Sequence, residues 1–159
     1  HPVGTKARRA FELLVNVGAA RGDTAALGRQ HVRNGMLIYR RRKTNVLVEI
    51  PVLPGLQTII DEMANTGALA FIATEQGSPY TKESFGNQFH AWCEEAGIPK
   101  GYSAHGIRKY AATLRANLGA TAHELMAWFG WLTIREAEEY TRAAARRQLA
   151  INMAKRLGT

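Results

Sequence analysis

The sequence predicts a mainly α-helical α+β domain with a small antiparallel β-sheet on one edge. Apolar residues recur at helical spacing through most of the chain, whereas residues 36–39 and 46–50 have the β-branched and apolar density that is typical of strands. The chain has 159 residues, of which 46% are hydrophobic, and this length and composition suit one domain with a buried core. We therefore expect residues 1–159 to form a single domain.

The first half of the chain predicts helices around one β-hairpin. Residues 5–17 carry apolar side chains on one helical face, and a short helix is expected after Gly22-Asp23. Residues 41–45 separate the two predicted strands, so Lys43 is expected near the hairpin tip. Two further apolar stripes at helical spacing follow the hairpin, and residues 70–73 predict a short strand between them.

The second half of the chain predicts helices only. Thr121-Ala-His-Glu124 and Thr133-Ile-Arg-Glu136 both match the capping box, in which a threonine and a glutamate three residues later satisfy unpaired N–H groups at a helix start. They predict two helix starts. Residues 143–157 predict a final basic helix.

The charge of the chain favours an anionic partner. The net charge is +8 and the isoelectric point about 10.1, and the cations are concentrated in Arg40-Arg41-Arg42-Lys43 and Arg146-Arg147. Clustered lysine and arginine of this kind are typical of nucleic-acid binding. The single cysteine, Cys93, allows no disulfide framework and indicates a reducing compartment. No run approaches 18 apolar residues, so we expect a cytoplasmic, DNA-associated protein with no membrane role.

Metal and nucleotide sites are not expected. The turn at residues 18–22 is rich in glycine but lacks the Gly-Lys-Ser/Thr ending of a nucleotide-binding loop. No pair of cysteines is present, and the histidines outside the motif described next lack the spacing of metal ligands: His31, His90 and His123. We therefore expect no cofactor.

One ordered set of residues has the chemistry needed to break a phosphodiester. His105 and Arg108 are three residues apart, so on a helix they share a face and can reach one phosphate. The guanidinium of Arg108 matches the geometry of phosphate oxygens. Trp131 and Tyr140 follow, and tyrosine is one of the few side chains that can form a covalent intermediate.

In order and spacing this set resembles the catalytic domain of the tyrosine recombinases, the phage-integrase family. The corresponding segments are Gly18-Ala-Ala-Arg21-Gly-Asp23, Lys43-Thr44, His105-Gly-Ile-Arg108-Lys109, Gly130-Trp131 and Glu139-Tyr140-Thr141-Arg142. The resemblance covers nearly the whole chain. It implies the fold of that catalytic domain and implies that the N-terminal DNA-clamping domain, which the family usually carries, is absent from this chain.

The resemblance also implies a role for each residue. Tyr140 is the expected nucleophile, Arg108 stabilises the transition state, and His105 assists proton transfer. Trp131 donates its indole N–H to the phosphate, Lys43 protonates the leaving 5′ oxygen, and Asp23 supports the site without reacting. The expected contacts to the DNA are the remaining cations beside these motifs: Arg40, Arg41, Arg42, Lys109 and Arg142.

The chain departs from the family pattern at the first arginine, which usually stands three residues before the acidic residue. Asp23 is that acidic residue, so the position belongs to Ala20, and Arg21 is one residue late. One residue on a helix is a rotation of about 100°. Three explanations remain open: an engineered replacement, a naturally degenerate recombinase, or a local shift that lets Arg21 serve.

The expected function is therefore site-specific recombination of double-stranded DNA, through a 3′-phosphotyrosine link and strand exchange in a homotetramer, with activity impaired by Ala20. A DNA-binding protein with an inactive site and a topoisomerase-like enzyme that relaxes strands are the alternatives. The resemblance implies a bacterial or mobile-element setting.

Overall fold

A computed structural model of the chain describes residues 1–64, 66–144 and 146–158. Over these residues the chain forms eight α-helices, a 3₁₀ turn at Arg29–His31 and one three-stranded sheet, which confirms the predicted fold class. None of the described helices is long and apolar enough to span a bilayer. The helices are α1 (Lys6–Val17), α2 (Arg21–Ala26), α3 (Pro54–Glu62), α4 (Lys82–Glu95), α5 (Ala104–Asn117), α6 (Ala122–Phe129), α7 (Ile134–Ala143) and α8 (Arg146–Arg156).

Helix α1 has well-defined ends. The Thr5 hydroxyl accepts a hydrogen bond from the Arg8 N–H (3.3 Å) at its start. At its end Gly18 adopts a left-handed conformation with φ of 68° and donates its N–H to the Leu14 carbonyl. This turn brings Gly18 against the ring of Phe129, so the C-terminal end of α1 contacts the C-terminal end of α6.

The sheet confirms the predicted hairpin. Strands β1 (Val32–Arg33), β2 (Met36–Arg40) and β3 (Leu47–Pro51) are antiparallel in the order β1-β2-β3. Leu37 pairs with Ile50, and the alternation of the strands buries both side chains in the core. The connection between β2 and β3 contains Lys43, as predicted.

The core has two parts. The larger part lies among α1, α3, α4 and the sheet, and includes Leu14, Phe71 and Phe85. The smaller part lies among α5, α6 and α7 around Phe129. Trp128 packs against both parts and donates its indole N–H to the Val17 carbonyl (3.0 Å), so it joins them.

Both predicted capping boxes lie at helix starts. At α6 the Glu124 carboxylate accepts the Thr121 N–H (2.6 Å) and the Thr121 hydroxyl accepts the Glu124 N–H (3.1 Å). At α7 the Glu136 carboxylate accepts the Thr133 N–H (3.4 Å). These bonds fix the start of α6, which ends at Phe129, and the start of α7, which carries Tyr140.

Three expectations about elements need correction, and one short strand was not predicted. The strand predicted over 70–73 is wrong, because Ala73 makes only an isolated bridge to Pro79 and the buried segment finds no neighbouring strand. Helix α2 begins before Gly22-Asp23, not after it. Strand β1 is too short to leave a pattern. The helix predicted over 143–157 corresponds to α8, which begins at Arg146, because Ala143 is the last residue of α7. Position 145 of that prediction lies outside the described residues.

We expect Gly18→Ala to destabilise the protein by about 2–5 kcal/mol. The left-handed conformation costs an L-residue about 1–2 kcal/mol, and a Cβ atom there would come within 2.4 Å of the Phe129 ring, adding an overpacking cost of about 1–3 kcal/mol. Gly77→Ala is the matched control, because Gly77 has φ of 78° but no atom within 4 Å of the added Cβ. Urea unfolding measures both variants, and equal losses would contradict the contact argument.

Candidate active site

Residues from three of the five predicted motifs line one open cavity of about 650 Å³. It lies between the start of α2, the connection that follows β2, and the starts of α4 and α5. Its described lining contains six lysine or arginine residues and one acid, Asp23, so its electrostatic character favours an anion. The lining residues are Ala20, Arg21, Gly22, Asp23, Arg41, Arg42, Lys43, Lys82, Gly86, Ser103, Ala104, His105 and Arg108.

Arg108 is fixed by two backbone carbonyls from different parts of the chain. Its Nη1 donates to the Gly18 carbonyl, and its Nη2 donates to the Phe129 carbonyl (3.0 Å). The side chain is 7% exposed although it lines the cavity. Helix α5 positions it, and the Ser103 hydroxyl begins that helix by accepting the Gly106 N–H. The guanidinium is thus held in place before any ligand arrives.

Burial, and after it the nearby charge of Arg41, lower the pKa of Arg108 to about 10. A pKa of about 10 still leaves the guanidinium protonated at neutral pH. The charge lies 5.1 Å from the ring centre of Phe129 and 5.7 Å from that of Trp131, within the range of cation–π attraction.

The same rings lead to Tyr140. Phe129 stacks on Trp131 with ring centres 4.8 Å apart, and Trp131 stacks on Tyr140 at 5.3 Å with an interplanar angle of 7°. Tyr140 is half-buried, and this burial raises the pKa of its phenol, while the charge of Arg108 acts to lower it. The charge of Arg108 therefore acts on the Tyr140 phenol, and stacking on Trp131 fixes the orientation of the phenol ring.

The connection after β2 brings cations to Asp23. The buried Asp23 carboxylate accepts the Arg42 N–H (3.0 Å) and lies 4.0 Å from the Arg41 Nε. Arg41 is 7% exposed and donates its Nη1 to the Gly130 carbonyl (2.7 Å). Arg42 and Lys43 are exposed and line the cavity. Asp23 therefore holds the hairpin connection against α2.

Ala20 and Arg21 are both at the cavity but differ in what they reach. Ala20 is the residue before α2 and presents no charge. Arg21 is exposed, and its guanidinium passes so close to α4 that a Cβ atom on Gly86 would come within 2.5 Å of Nη1. The side chain of Arg21 thus runs along α4.

The structure gathers most of the predicted site residues at the cavity but leaves five outside its lining, of which three are surface cations. Arg40, Lys109 and Arg142 are exposed and do not line the cavity. Arg40 donates to the Asn45 carbonyl (3.0 Å), and Arg142 forms an ion pair with Glu138 at 2.6 Å. Trp131 and Tyr140 adjoin Arg108 through the aromatic stack and are likewise absent from the cavity lining.

Sequence reasoning missed Lys82 and the burial of Arg41. Lys82 reaches the cavity as the first residue of α4, where its chain passes Gly22, and no local pattern signals this long-range approach. Arg41 had a usable signal, because Leu37 and Tyr39 point inward on β2 and the period of two continues to position 41. Across the described ranges, no group of three or more acidic, histidine or cysteine side chains is arranged to hold a metal.

We expect the Tyr140 phenol to have a pKa above that of an ordinary tyrosine, because burial disfavours the phenolate. The variant Tyr140→Phe identifies this ionisation by removing it. Replacing Arg108 with Met should move the Tyr140 pKa higher still, since a cation that stabilises the phenolate is lost. Ultraviolet titration of phenolate absorbance measures both. Lys109→Met, an exposed charge on the same helix, is the control, and an equal shift there would refute the specific effect of Arg108.

Comparison with known proteins bears on the family and the fold of the chain. The phage integrase family model matches residues 1–147. A search of curated protein sequences finds no match. Among solved structures, a lambda integrase dimer bound to a COC′ core site has a TM-score of 0.72 at 21% identity, over 89% of this chain and 53% of that one. The lambda integrase catalytic core gives 0.67 at 21% identity, over 79% and 82%.

A third structure, the Tn1549 transposon integrase in complex with transposon right end DNA, gives a TM-score of 0.70 at 19% identity, over 97% of this chain and 59% of that one. At these identities the likeness establishes the fold. The chain spans about half the length of the first lambda integrase structure. Since the family model covers all but the last residues, the chain belongs to the phage integrase family.

Proposed function

We propose that this chain is a catalytic domain that breaks and rejoins DNA strands through Tyr140. The observation that carries the proposal is the guanidinium of Arg108, which is buried, held by two carbonyls, lines a cationic cavity and lies over the ring of Trp131, on which Tyr140 stacks. A fixed cation beside a nucleophile and an anion-binding cavity is the arrangement that phosphoryl transfer requires.

In the proposed reaction, the Tyr140 oxygen attacks the scissile phosphorus and the bond to the 5′ oxygen breaks. His105 assists removal of the phenol proton, Lys43 gives a proton to the departing 5′ oxygen, and Arg108 stabilises the charge on the phosphate. The product is a 3′-phosphotyrosine with a free 5′-hydroxyl. Attack by a 5′-hydroxyl of a partner duplex reverses the step. The phosphotyrosine keeps the bond energy, so the proposed cycle consumes no nucleotide.

The proposed substrate is double-stranded DNA. The charge of +8 supplies the electrostatic attraction, and the exposed cations of the hairpin connection lie beside the cavity that receives the scissile phosphate. One structure similar to this chain is a lambda integrase tetramer bound to a Holliday junction. We propose that this protein likewise exchanges strands as an assembly of several copies.

A second function is favoured by Ala20. Because this position supplies no charge to the cavity, the chain could bind DNA without cutting it. A nicked DNA substrate, from which the cleaved fragment diffuses away, separates the possibilities: a binding-only protein gives a mobility shift without covalent product. Relaxation of plasmid without a specific site would instead indicate a topoisomerase-like enzyme.

We expect Tyr140→Phe to abolish covalent protein–DNA adducts and leave DNA affinity nearly unchanged, because the change removes only the attacking oxygen and keeps the stacked ring. Adducts are measured on the nicked substrate by denaturing gel electrophoresis. Tyr110→Phe is the matched control, since Tyr110 is 56% exposed on α5 and outside the cavity lining. Adducts that survive in Tyr140→Phe would exclude this nucleophile.

We expect Ala20→Arg to raise the rate of adduct formation by up to about 10²- to 10³-fold, the effect typical of one preorganised charged donor in the transition state. Arg21→Ala should change the rate little, because Arg21 runs along α4 at Gly86. Single-turnover kinetics measure both rates. A large loss of rate in Arg21→Ala, with no gain in Ala20→Arg, would instead identify Arg21 as the phosphate-binding arginine.

A further inference from the structure

Arg41 and Arg108 form a pair of buried guanidiniums at one wall of the cavity. Each is 7% exposed. Their hydrogen bonds go to consecutive backbone carbonyls at the end of α6: Arg108 donates to Phe129 (3.0 Å) and Arg41 to Gly130 (2.7 Å). The charge of Arg41 is close enough to lower the pKa of Arg108. Two like charges are thus held together out of water.

The charge of this pair is only half balanced. Asp23 is the one acid among the described residues that line the cavity, and it lies 4.0 Å from the Arg41 Nε. The Asp23 carboxylate also accepts the Arg42 N–H, so it is shared. Buried charges are normally paired, because an uncompensated one costs several kcal/mol. Two guanidiniums facing one carboxylate leave a site suited to a further negative charge.

The hydrogen bonding of Arg41 is also incomplete. Its Nε is buried and has no hydrogen-bond partner among the described residues. Leaving a buried donor without a hydrogen-bond partner destabilises the folded state. If Arg41 served only to join the hairpin to Gly130, its charge beside Arg108 and its unpaired Nε would destabilise the fold without any benefit.

Arg41 also approaches the turn that begins at Ala20, a position that carries no charge. Ala20 begins the first turn of α2, in which the Thr24 N–H bonds to the Ala20 carbonyl (2.8 Å), and Asp23 lies in that same turn. The contact between Arg41 and Asp23 therefore brings a guanidinium from the hairpin to the part of the cavity wall where Ala20 offers none.

We propose that Arg41 is a phosphate-binding residue, which together with Arg108 holds the scissile phosphate and supplies from the hairpin the charge that is missing at Ala20. The proposal rests on the proposed function for the identity of the phosphate. It changes the role expected for Arg41 from the sequence, where it was grouped with Arg40 and Arg42 as a contact to the DNA backbone. Arg41 differs from these two residues because it is buried, whereas Arg40 and Arg42 are exposed.

The first test uses inorganic phosphate as the probe and needs no strand cleavage. In arginine-labelled protein, nuclear magnetic resonance follows the guanidinium signals of Arg41 and Arg108, assigned by through-bond connection to their backbones, at constant ionic strength. Both should shift with one common dissociation constant. Arg41→Gln should weaken phosphate binding about 10- to 100-fold, the effect typical of one lost bond to a charged group.

Arg33→Gln is the matched control, since it removes the same charge from an exposed position of the same sheet outside the cavity lining. It should leave the dissociation constant within about twofold. If Arg41→Gln does not fold, the titration of the unsubstituted protein decides: an Arg41 signal that stays still while that of Arg108 shifts would overturn the proposal.

The second test is a double-mutant cycle on adduct formation, with Ala20→Arg and Arg41→Gln alone and combined. If both arginines serve one phosphate, the gain from Ala20→Arg is at least 10-fold larger in the Arg41→Gln background than in the parent chain. Additive effects would overturn the proposal. Phosphate binding through Arg41 without any adduct would uphold it and refute strand cleavage, whereas undiminished adducts in Arg41→Gln would refute it and uphold strand cleavage.

Discussion

The fixed guanidinium of Arg108 is the constraint on which the rest of the site depends. Its two bonds join the carbonyl after α1 to the last carbonyl of α6, while α5 carries the side chain itself. Three helix ends are thus held at one charged group. Gly18 makes this meeting possible, because a side chain at that position would strike the ring of Phe129. The positions of the cavity wall and of the aromatic stack both follow from this one junction.

The stack transmits that constraint to Tyr140. The phenol of Tyr140 is oriented by its contact with the ring of Trp131, which in turn stacks on Phe129. Burial makes the phenol a weaker acid, and the Arg108 charge opposes this effect. Under the proposed function, the loss of the proton from this phenol therefore depends on charges placed close by.

The parts of this structure that local sequence chemistry governs were predictable. The capping box at Thr121, the hairpin pairing of Leu37 with Ile50 and the shared helix of His105 and Arg108 depend on residues close in sequence or on strict alternation. The segment 70–73 has the composition of a strand, but its backbone meets Leu27 and Pro79 instead of a sheet. The approach of Lys82 to the cavity was hidden for the same reason, because only the packing of α4 on α2 produces it.

Arg41 shows how a strand pattern and a charge pattern can conflict in one run of residues. Four cations in a row suggest a solvated surface, yet the alternation of Leu37 and Tyr39 turns position 41 inward, and burial raises the pKa of the neighbouring Tyr39 phenol to about 12. The folded chain compensates in part for the burial of the Arg41 charge. The Gly130 carbonyl accepts a hydrogen bond from Arg41, and the Asp23 carboxylate lies 4.0 Å from its Nε. These two partners do not neutralise the charges of two adjacent guanidiniums, and the excess positive charge lowers the stability of the folded chain. The same excess charge attracts an anion to the cavity. A bound phosphate would therefore neutralise this charge and stabilise the folded chain.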